Sequence, residues 1–397
     1  MTEIILRKSV KILQVHNFYD HQGGEEVVLD LEKELLLKGG AVVERYTDSN
    51  RKGLTRFGKL KAIVNYWFSL FSGAKFKRSL LEIKPDVVHI HNTFPKFGQR
   101  IIKVASNSGV PVVVTVHNFR YACANGLFLR KGNVCTLCLN GNVLPAIIHK
   151  CYRGSYLASL VMGAGICIQK KLNSYSYASK IIVMTEFSKK LLVEYGVDKS
   201  VIVVKPHSIS PHGVGHQVLP YEKDGANLCF VGRLSKEKGL SEVFESLREV
   251  KLDLSLAVIG GGQLADDLEE ISQGLNVKFY GWLMHDEVLA LLKGSKFLIF
   301  PSIWFETFGL VIIEAFSLGV PVIARDIGGT SEIVDNGLNG YLYKSVGELS
   351  DILAHCYEMT DDEYEKLSLA AFEKYEKNYT SDINQENLFT TYRSLLP

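Results

Sequence analysis

Short runs of β-branched and other apolar residues recur along this chain with helical stretches between them, and the pattern runs through twice. The first set is VKILQV at 10–15, AVVERY at 41–46, DVVHI at 86–90, PVVVTV at 111–116, KIIVM at 180–184 and VIVV at 201–204. The second is NLCFVG at 227–232, LSLAVIGG at 254–261, VKFYG at 277–281, KFLIFP at 296–301, VPVIA at 320–324 and GYLY at 340–343. Continuous apolar runs, rather than strict alternation, are what parallel strands covered on both faces look like. Each set therefore predicts a doubly wound, Rossmann-like α/β domain. A length of 397 residues, too long for one core, asks for two domains as well. The expected division is 1–205, a proline- and glycine-rich linker at 206–225, a second domain at 226–375, and an acidic helix at 376–397 that packs back on the first. Ligands of such sheets bind beyond the carboxyl ends of the strands, so two facing domains predict a cleft between them.

Charge sharpens the division. The chain holds 45 Lys+Arg and 43 Asp+Glu, a formal +2 that implies no charged partner. Residues 1–205 hold 30 and 14 of these, leaving 15 and 29 for residues 206–397, so the halves carry +16 and −14. The basic half calls for an anionic partner, and the acidic half must hold any anion by locally placed cations. Nucleic acid is disfavoured as that partner, since no binding motif for it is present. With 47% apolar and 22% charged residues the chain is not a disordered one. MTEIILRKSV has no apolar core and no small-residue cleavage site, which predicts a cytoplasmic protein. The longest apolar stretch, Tyr156 to Ile168, falls short of the about 20 residues that span a bilayer and reads as a buried helix.

Three segments carry chemistry. VGRLSKEKG at 231–239 follows a strand, and Arg233 and Lys238 at the mouth of a helix put two cations and free amides beside one point, which suits a diphosphate. In PSIWFETFGLVIIEAFSLGVPVIA at 301–324, the amides of Thr307, Phe308, Gly309 and Leu310 open a helix and form an anion-binding device. Glu306 and Glu314 flank that device, and a carboxylate beside a phosphate site is costly unless it accepts hydrogen bonds, for which sugar hydroxyls are natural donors. In the first half, Gly23 and Gly24 follow strand VKILQV, and His117 follows strand PVVVTV.

VGRLSKEKG, the triple glycine at 260–262, Glu306-x7-Glu314 around FGL, and GVPVIA together resemble the retaining family-four glycosyltransferases of the GT-B fold. The resemblance covers most of the chain and implies two Rossmann-like domains facing across a cleft. It implies that Arg233 and Lys238 neutralise a donor diphosphate, that Glu306 meets the donor sugar, that Glu314 binds the ribose, and that the Gly309 and Leu310 amides meet phosphate. Gly23-Gly24 matches the family's first glycine-rich loop, and His117 the histidine beside the transferred sugar. The linker strand reads VKPHSI where the family has proline followed by Asn-Gly. The implied reaction moves a hexose with retention from a nucleotide-diphosphate sugar to a lipid-linked polysaccharide or lipopolysaccharide glycan, with no catalytic metal. A nucleotide-sugar epimerase and an inactive glycan-binding module are the alternatives. A nicotinamide dehydrogenase is disfavoured, because no G-x-G-x-x-G follows the first strand.

Two further features belong to the first half. Cys123, Cys135, Cys138 and Cys151 combine one C-x2-C pair with two outlying cysteines, a pattern able to close a tetrahedral zinc site. Free buried thiols and a redox role remain as alternatives, and a similar insertion occurs in a branch of the same family. Between Arg51 and Arg78 there are eight Lys or Arg and no acidic residue. A helix there aligns Leu60, Ile63, Val64, Trp67 and Phe71 on one face, opposite Lys61, Asn65 and Ser69. Either that stripe lies on an anionic membrane, making the protein peripheral on its cytoplasmic face, or it is core.

Overall fold

The computed structural model describes residues 10–19, 23–49, 56–210 and 227–396. The first nine residues, the basic pair Arg51 and Lys52, and linker residues 211–225 lie outside the described residues. The chain divides into two compact units, one of 1–128, 135–207 and 382–397, the other of 129–134 and 208–381.

In the first unit the strands are β1 (Lys11–Phe18), β2 (Val42–Ser49), β3 (Val87–Ile90) and β4 (Val112–Thr115). A two-residue hairpin, β5 (Leu129–Arg130) with β6 (Asn133–Val134), comes next in the chain and falls in the second unit; β7 (Lys180–Val183) and β8 (Ile202–Val204) complete the first sheet. The second unit continues with β9 (Leu228–Val231), β10 (Leu256–Ile259), β11 (Val277–Gly281), β12 (Phe297–Phe300), β13 (Val322–Arg325) and β14 (Gly340–Tyr343). All twelve strand runs read from the sequence are strands, and both six-stranded sheets are wholly parallel. The spatial orders are β2-β1-β3-β4-β7-β8 and β11-β10-β9-β12-β13-β14. The order therefore reverses direction beside β1 in one sheet and beside β9 in the other, and such switch points are where loops diverge and ligands enter.

The first unit's helices are α1 (Gly24–Lys38), α2 (Arg56–Phe68), α3 (Leu70–Ile83), α4 (Ile101–Ser106), α5 (Leu144–Ile148), α6 (Tyr156–Leu172) and α7 (Glu186–Tyr195). The second holds α8 (Leu240–Val250), α9 (Ala265–Ile271), α10 (His285–Lys293), α11 (Leu310–Ser317), α12 (Thr330–Ile333), α13 (Val346–Glu358) and α14 (Asp361–Asn378). Sequence sets the ends of these helices. Thr360 and Glu363 form a reciprocal capping box that starts α14, satisfying two amides a helix start leaves open. The last helix, α15 (Ser381–Arg393), returns to the first unit, where Leu388, Phe389 and Tyr392 join Ile12, Leu36, Val87 and Ile182 in one core.

Two sequence readings are corrected. Asn65 of α2 and Ser69, between α2 and α3, both expected on the solvent side, are 5% and 4% exposed, while Leu60 of α2 and Phe71 of α3 stand 58% and 55% exposed. The reason is local: Asn65 Oδ1 accepts from the amides of Phe71 and Ser72, stitching the break between α2 and α3, and so turns inward, while Lys61 is exposed as expected. Helix α6 is likewise not the enclosed helix its composition predicts, since Tyr156, Leu157 and Leu160 are exposed. Among the described residues no helix is long and apolar enough to cross a membrane.

Candidate active site

In the second unit the loops after β9 and β12 meet at the switch point. Gly239 makes their close approach possible: its φ is +70°, and a Cβ there would lie 2.0 Å from the Pro301 carbonyl oxygen. The Ile303 amide donates to Glu237 O at 2.9 Å, tying the same two loops. Behind them stands the loop after β10. Gly260 has φ +125°, and a Cβ on it would lie 2.0 Å from Gly232 O, while the Leu234 amide donates to Gly261 O at 3.0 Å. The triple glycine is thus the brace that seats the Arg233 loop.

Lys238 and Glu306, 68 residues apart, come together there at 2.6 Å between Nζ and Oε1. Lys238 also lies over the rings of Phe300 and Trp304, at 5.6 and 5.8 Å. Glu306 Oε1 takes two more donors, Ser302 Oγ and Trp304 Nε1, each at 2.8 Å. All three bonds fall on Oε1 of a carboxylate that is 7% exposed. Arg233 does not join this group. Its side chain is 63% exposed, and Nη2 reaches Glu237 Oε1 at 3.3 Å. Gly309 caps α11, with Leu310 as the first helical residue and Phe308 buried against Tyr379. Glu314 is half-buried one turn into α11, and burial pushes its carboxyl above the usual range, with His285 opposing the rise.

In the first unit Gly23 and Gly24 open α1 after β1, and His117 follows β4. No other part of the described chain lies within 4 Å of a Cβ built on Gly23, so the chain itself does not require glycine there. His117 Nε2 lies 3.1 Å from His91 Nδ1, and its ring stacks on His207 at 5.4 Å. Burial first, then the neighbouring histidines, hold His117 well below the ordinary imidazole range.

Beneath His117 the structure assembles a group that sequence reading missed. Glu32 and Lys205, each about 1% exposed, pair at 2.8 Å. Glu32 Oε2 lies 3.5 Å from His91 Nε2 and 3.7 Å from His89 Nδ1. Tyr392 OH lies 2.7 Å from His89 Nδ1, and Lys205 also donates to Asn384 Oδ1 at 3.2 Å, so α15 seals the group. Burial alone would raise the Glu32 carboxyl, but Lys205 and His91 outweigh it and hold it down. The available signal was His89-x-His91 on a central strand, where alternate residues share a face. Glu32, His89 and His91 offer ligand atoms within 4.8 Å of one another. Lys205 donates to Glu32 Oε1 and Tyr392 lies on His89 Nδ1, whereas Glu32 Oε2 and His91 Nε2, 3.5 Å apart, have no hydrogen-bond partner among the described residues.

A pocket at the carboxyl ends of β3 and β4 is lined by His91, Asn92, His117, Asn118, Arg120 and Tyr175 among others. Arg120 stacks on Phe94 at 4.7 Å, and among the described residues its buried Nη1 has no hydrogen-bond partner. Beside it Glu25 accepts from Asn92 Nδ2 at 3.0 Å; burial raises its carboxyl to about 8, against the pull of Arg120.

Among the described residues none of the four predicted metal ligands is in a disulfide; Cys123 and Cys138 are buried, Cys135 and Cys151 half-buried. Burial and then Cys123, with Cys151 and Cys135 behind it, push the Cys138 thiol up to about 11, so the four are neighbours. They do not converge: Cys123 Sγ donates to Asn125 Oδ1 at 2.9 Å, and among the described residues no three of these sulfurs lie within 4.8 Å of one another.

Residues 22–212 match the family described as Glycosyltransferase Family 4, and residues 216–377 match Glycosyl transferases group 1. The chain belongs to the family-four glycosyltransferases. A protein of the cps region of Klebsiella pneumoniae is 25% identical to this glycosyltransferase over 308 residues, 74% of this chain and 76% of the other. The lipopolysaccharide 1,6-galactosyltransferase of Escherichia coli K12 is 27% identical over 206 residues, 48% of this chain and 56% of that enzyme. Anabaena HepE, solved in complex with UDP, superposes with a TM-score of 0.65 at 19% identity, over 97% of this chain and 100% of that one. At that identity the likeness is one of fold, and the fold is GT-B.

Proposed function

We propose that this glycosyltransferase moves a hexose, with retention, from a nucleoside-diphosphate sugar to a growing, lipid-linked polysaccharide or lipopolysaccharide glycan. The observation that carries the reading is the Lys238–Glu306 pair at the switch point, with an exposed Arg233 on the same loop and the start of α11 beside it. The leaving group is a diphosphate that gains negative charge as the sugar departs, and cations fixed in advance are the largest catalytic term for such a step. Arg233, Lys238 and the Gly309 and Leu310 amides take that charge, beside Phe308. Glu306 Oε2 accepts from the sugar, and Glu314 from the ribose. In the first unit, Gly23 and Gly24 leave room for phosphate and sugar, and His117, neutral at pH 7, accepts from a hydroxyl of the transferred sugar. The pocket around Asn92, Asn118 and Arg120 receives the acceptor, and the protein works at an anionic membrane surface. Relatives support the reading by what they are named for: one is a lipopolysaccharide galactosyltransferase, and another binds UDP.

Thermal shift with UDP, GDP and ADP sugars tests the donor, since a ligand of the folded state raises stability with its affinity. One nucleotide is expected to stand out. The anomeric configuration of the product, read by NMR, tests retention. Conversion of the donor with no acceptor present would point to an epimerase instead. Structural zinc at the four neighbouring cysteines, which would have to draw together to bind it, is proposed separately, at about one ion per chain by elemental analysis; a content near zero in fully active protein removes it.

A further inference from the structure

Helix α6 is apolar around its whole circumference, a composition that ordinarily marks an enclosed helix. Its inner face, with Ser159, Met162 and Ile166, is buried. The opposite face begins with Leu157 and Leu160, 71% and 49% exposed. Beside it α5 exposes Leu144 and Ile148, both 57%. Helix α2 is tied to α6 by Trp67 Nε1, which donates to Val161 O at 3.1 Å, and it leaves Leu60 and Phe68 exposed. Three neighbouring helices of one unit thus leave large apolar side chains outside.

The surrounding charge says what covers them. Between Asp86 and Glu186 the chain has eleven Lys or Arg and no Asp or Glu. Lys150 Nζ lies over the Tyr156 ring at 4.4 Å, and Arg153 beside it is exposed. Cations whose stems lie along apolar side chains and whose heads reach solvent are arranged as at a lipid interface. A second copy of the chain would set two cationic rims against each other. An anionic bilayer satisfies both features, acyl chains taking the leucines and phosphates the cations.

We propose that α2, α5 and α6 form the face by which this protein sits on an anionic bilayer, with Leu144, Ile148, Leu157 and Leu160 entering at headgroup depth. The proposal rests on the membrane-bound acceptor put forward above and deepens it by naming the surface. The test is sedimentation of the full chain with phosphatidylcholine vesicles and with vesicles containing about 30% phosphatidylglycerol. Binding at least about tenfold stronger to the anionic vesicles is expected, falling severalfold in about 0.5 M salt. The double substitution L157E/L160E should lower it at least about tenfold while leaving the melting midpoint and the UDP-induced shift in place. Should that variant fail to fold, K150A/R153A, at two exposed cations, is expected to weaken binding by roughly tenfold. Equal binding to neutral and anionic vesicles, or unchanged binding in the variants, overturns the proposal. So does a dimer, seen by light scattering, that L157E/L160E abolishes in protein that ignores vesicles. A UDP shift in protein that ignores vesicles defeats the docking face alone, whereas vesicle binding with no nucleotide shift defeats the donor reading alone.

Discussion

The two sheets place their charges in opposite ways. Under the strand ends of the first, Glu32 and Lys205 face each other out of water, ringed by histidines that burial keeps neutral. At the strand ends of the second, Lys238 is 17% exposed and Arg233 63%. The same doubly wound architecture thus holds one ion pair closed off from solvent and one cation group with capacity to spare. The buried pair fixes the positions of β8, α1 and α15 and is out of a ligand's reach. The exposed Arg233–Glu237 pair adds little to stability, since exposed pairs contribute about 0–1 kcal/mol, and its guanidinium is free to meet a diphosphate.

The sharpest way to break that contrast is to remove one partner of the buried pair. Lys205→Ala leaves the Glu32 carboxylate alone in the core, at a cost of about 3–5 kcal/mol, and the melting midpoint should fall by roughly 10 °C. The double substitution E32L/K205M should recover most of it, because apolar replacements of a buried pair are near neutral. If Lys205→Ala melts like the wild type, the pair does not organise the unit.

Acid probes the histidines around it. Burial, then Arg45, lowers His16 to about 4, and burial, then Lys205, lowers His89 to about 3. A group whose folded pKa lies below its unfolded value of 6.5 binds protons better when unfolded. Its contribution is complete above pH 6.5 and is lost as pH falls toward 4, about 3 kcal/mol for His16 alone. Calorimetry from pH 7.5 down to 4.5 should show a steep fall beginning near 6.5. A flat profile would mean that these rings take up protons in the folded protein as readily as in the unfolded chain.

Arg233→Ala tests the open group. Turnover should fall roughly 100-fold, the scale for losing one fixed donor to a developing anion, while the melting midpoint moves by no more than about 1 °C. Lys238→Ala should cost as much turnover and also strip Glu306 of a partner. Activity within about threefold of the wild type would take Arg233 out of the site.

How much of this was legible follows the same contrast. The central strands were readable because both their faces are covered, and unbroken β-branched runs report that directly; the edge strands β2 and β11 have no buried position. The open site was readable because cations and glycines beside a strand end have few structural reasons to be there. The Glu32–Lys205 pair was not, for its members are 173 residues apart and each alone looks like a surface residue of an amphipathic segment. The inward turn of Asn65 was hidden for a related reason: helical periodicity assigns polar residues to solvent and has no term for a side chain that caps the next helix.

Glu25 lies between the two cases, near a cation but half-buried. Its carboxyl is raised to about 8 by burial, with Arg120, Asn118 and Asn92 pulling the other way. A folded pKa above the unfolded 4.5 means that the folded protein holds a proton the unfolded chain releases. The associated stability is present below pH 4.5 and drains away as pH rises through about 8. Glutamine copies the protonated acid without that dependence. Glu25→Gln should therefore raise stability by about 3 kcal/mol at pH 7 and leave it unchanged at pH 4, a difference that melting curves at the two pH values resolve. If the substitution destabilises at pH 7, Glu25 is ionised and paired with Arg120, and the first unit carries a second satisfied charge pair in place of a guanidinium available to an acceptor.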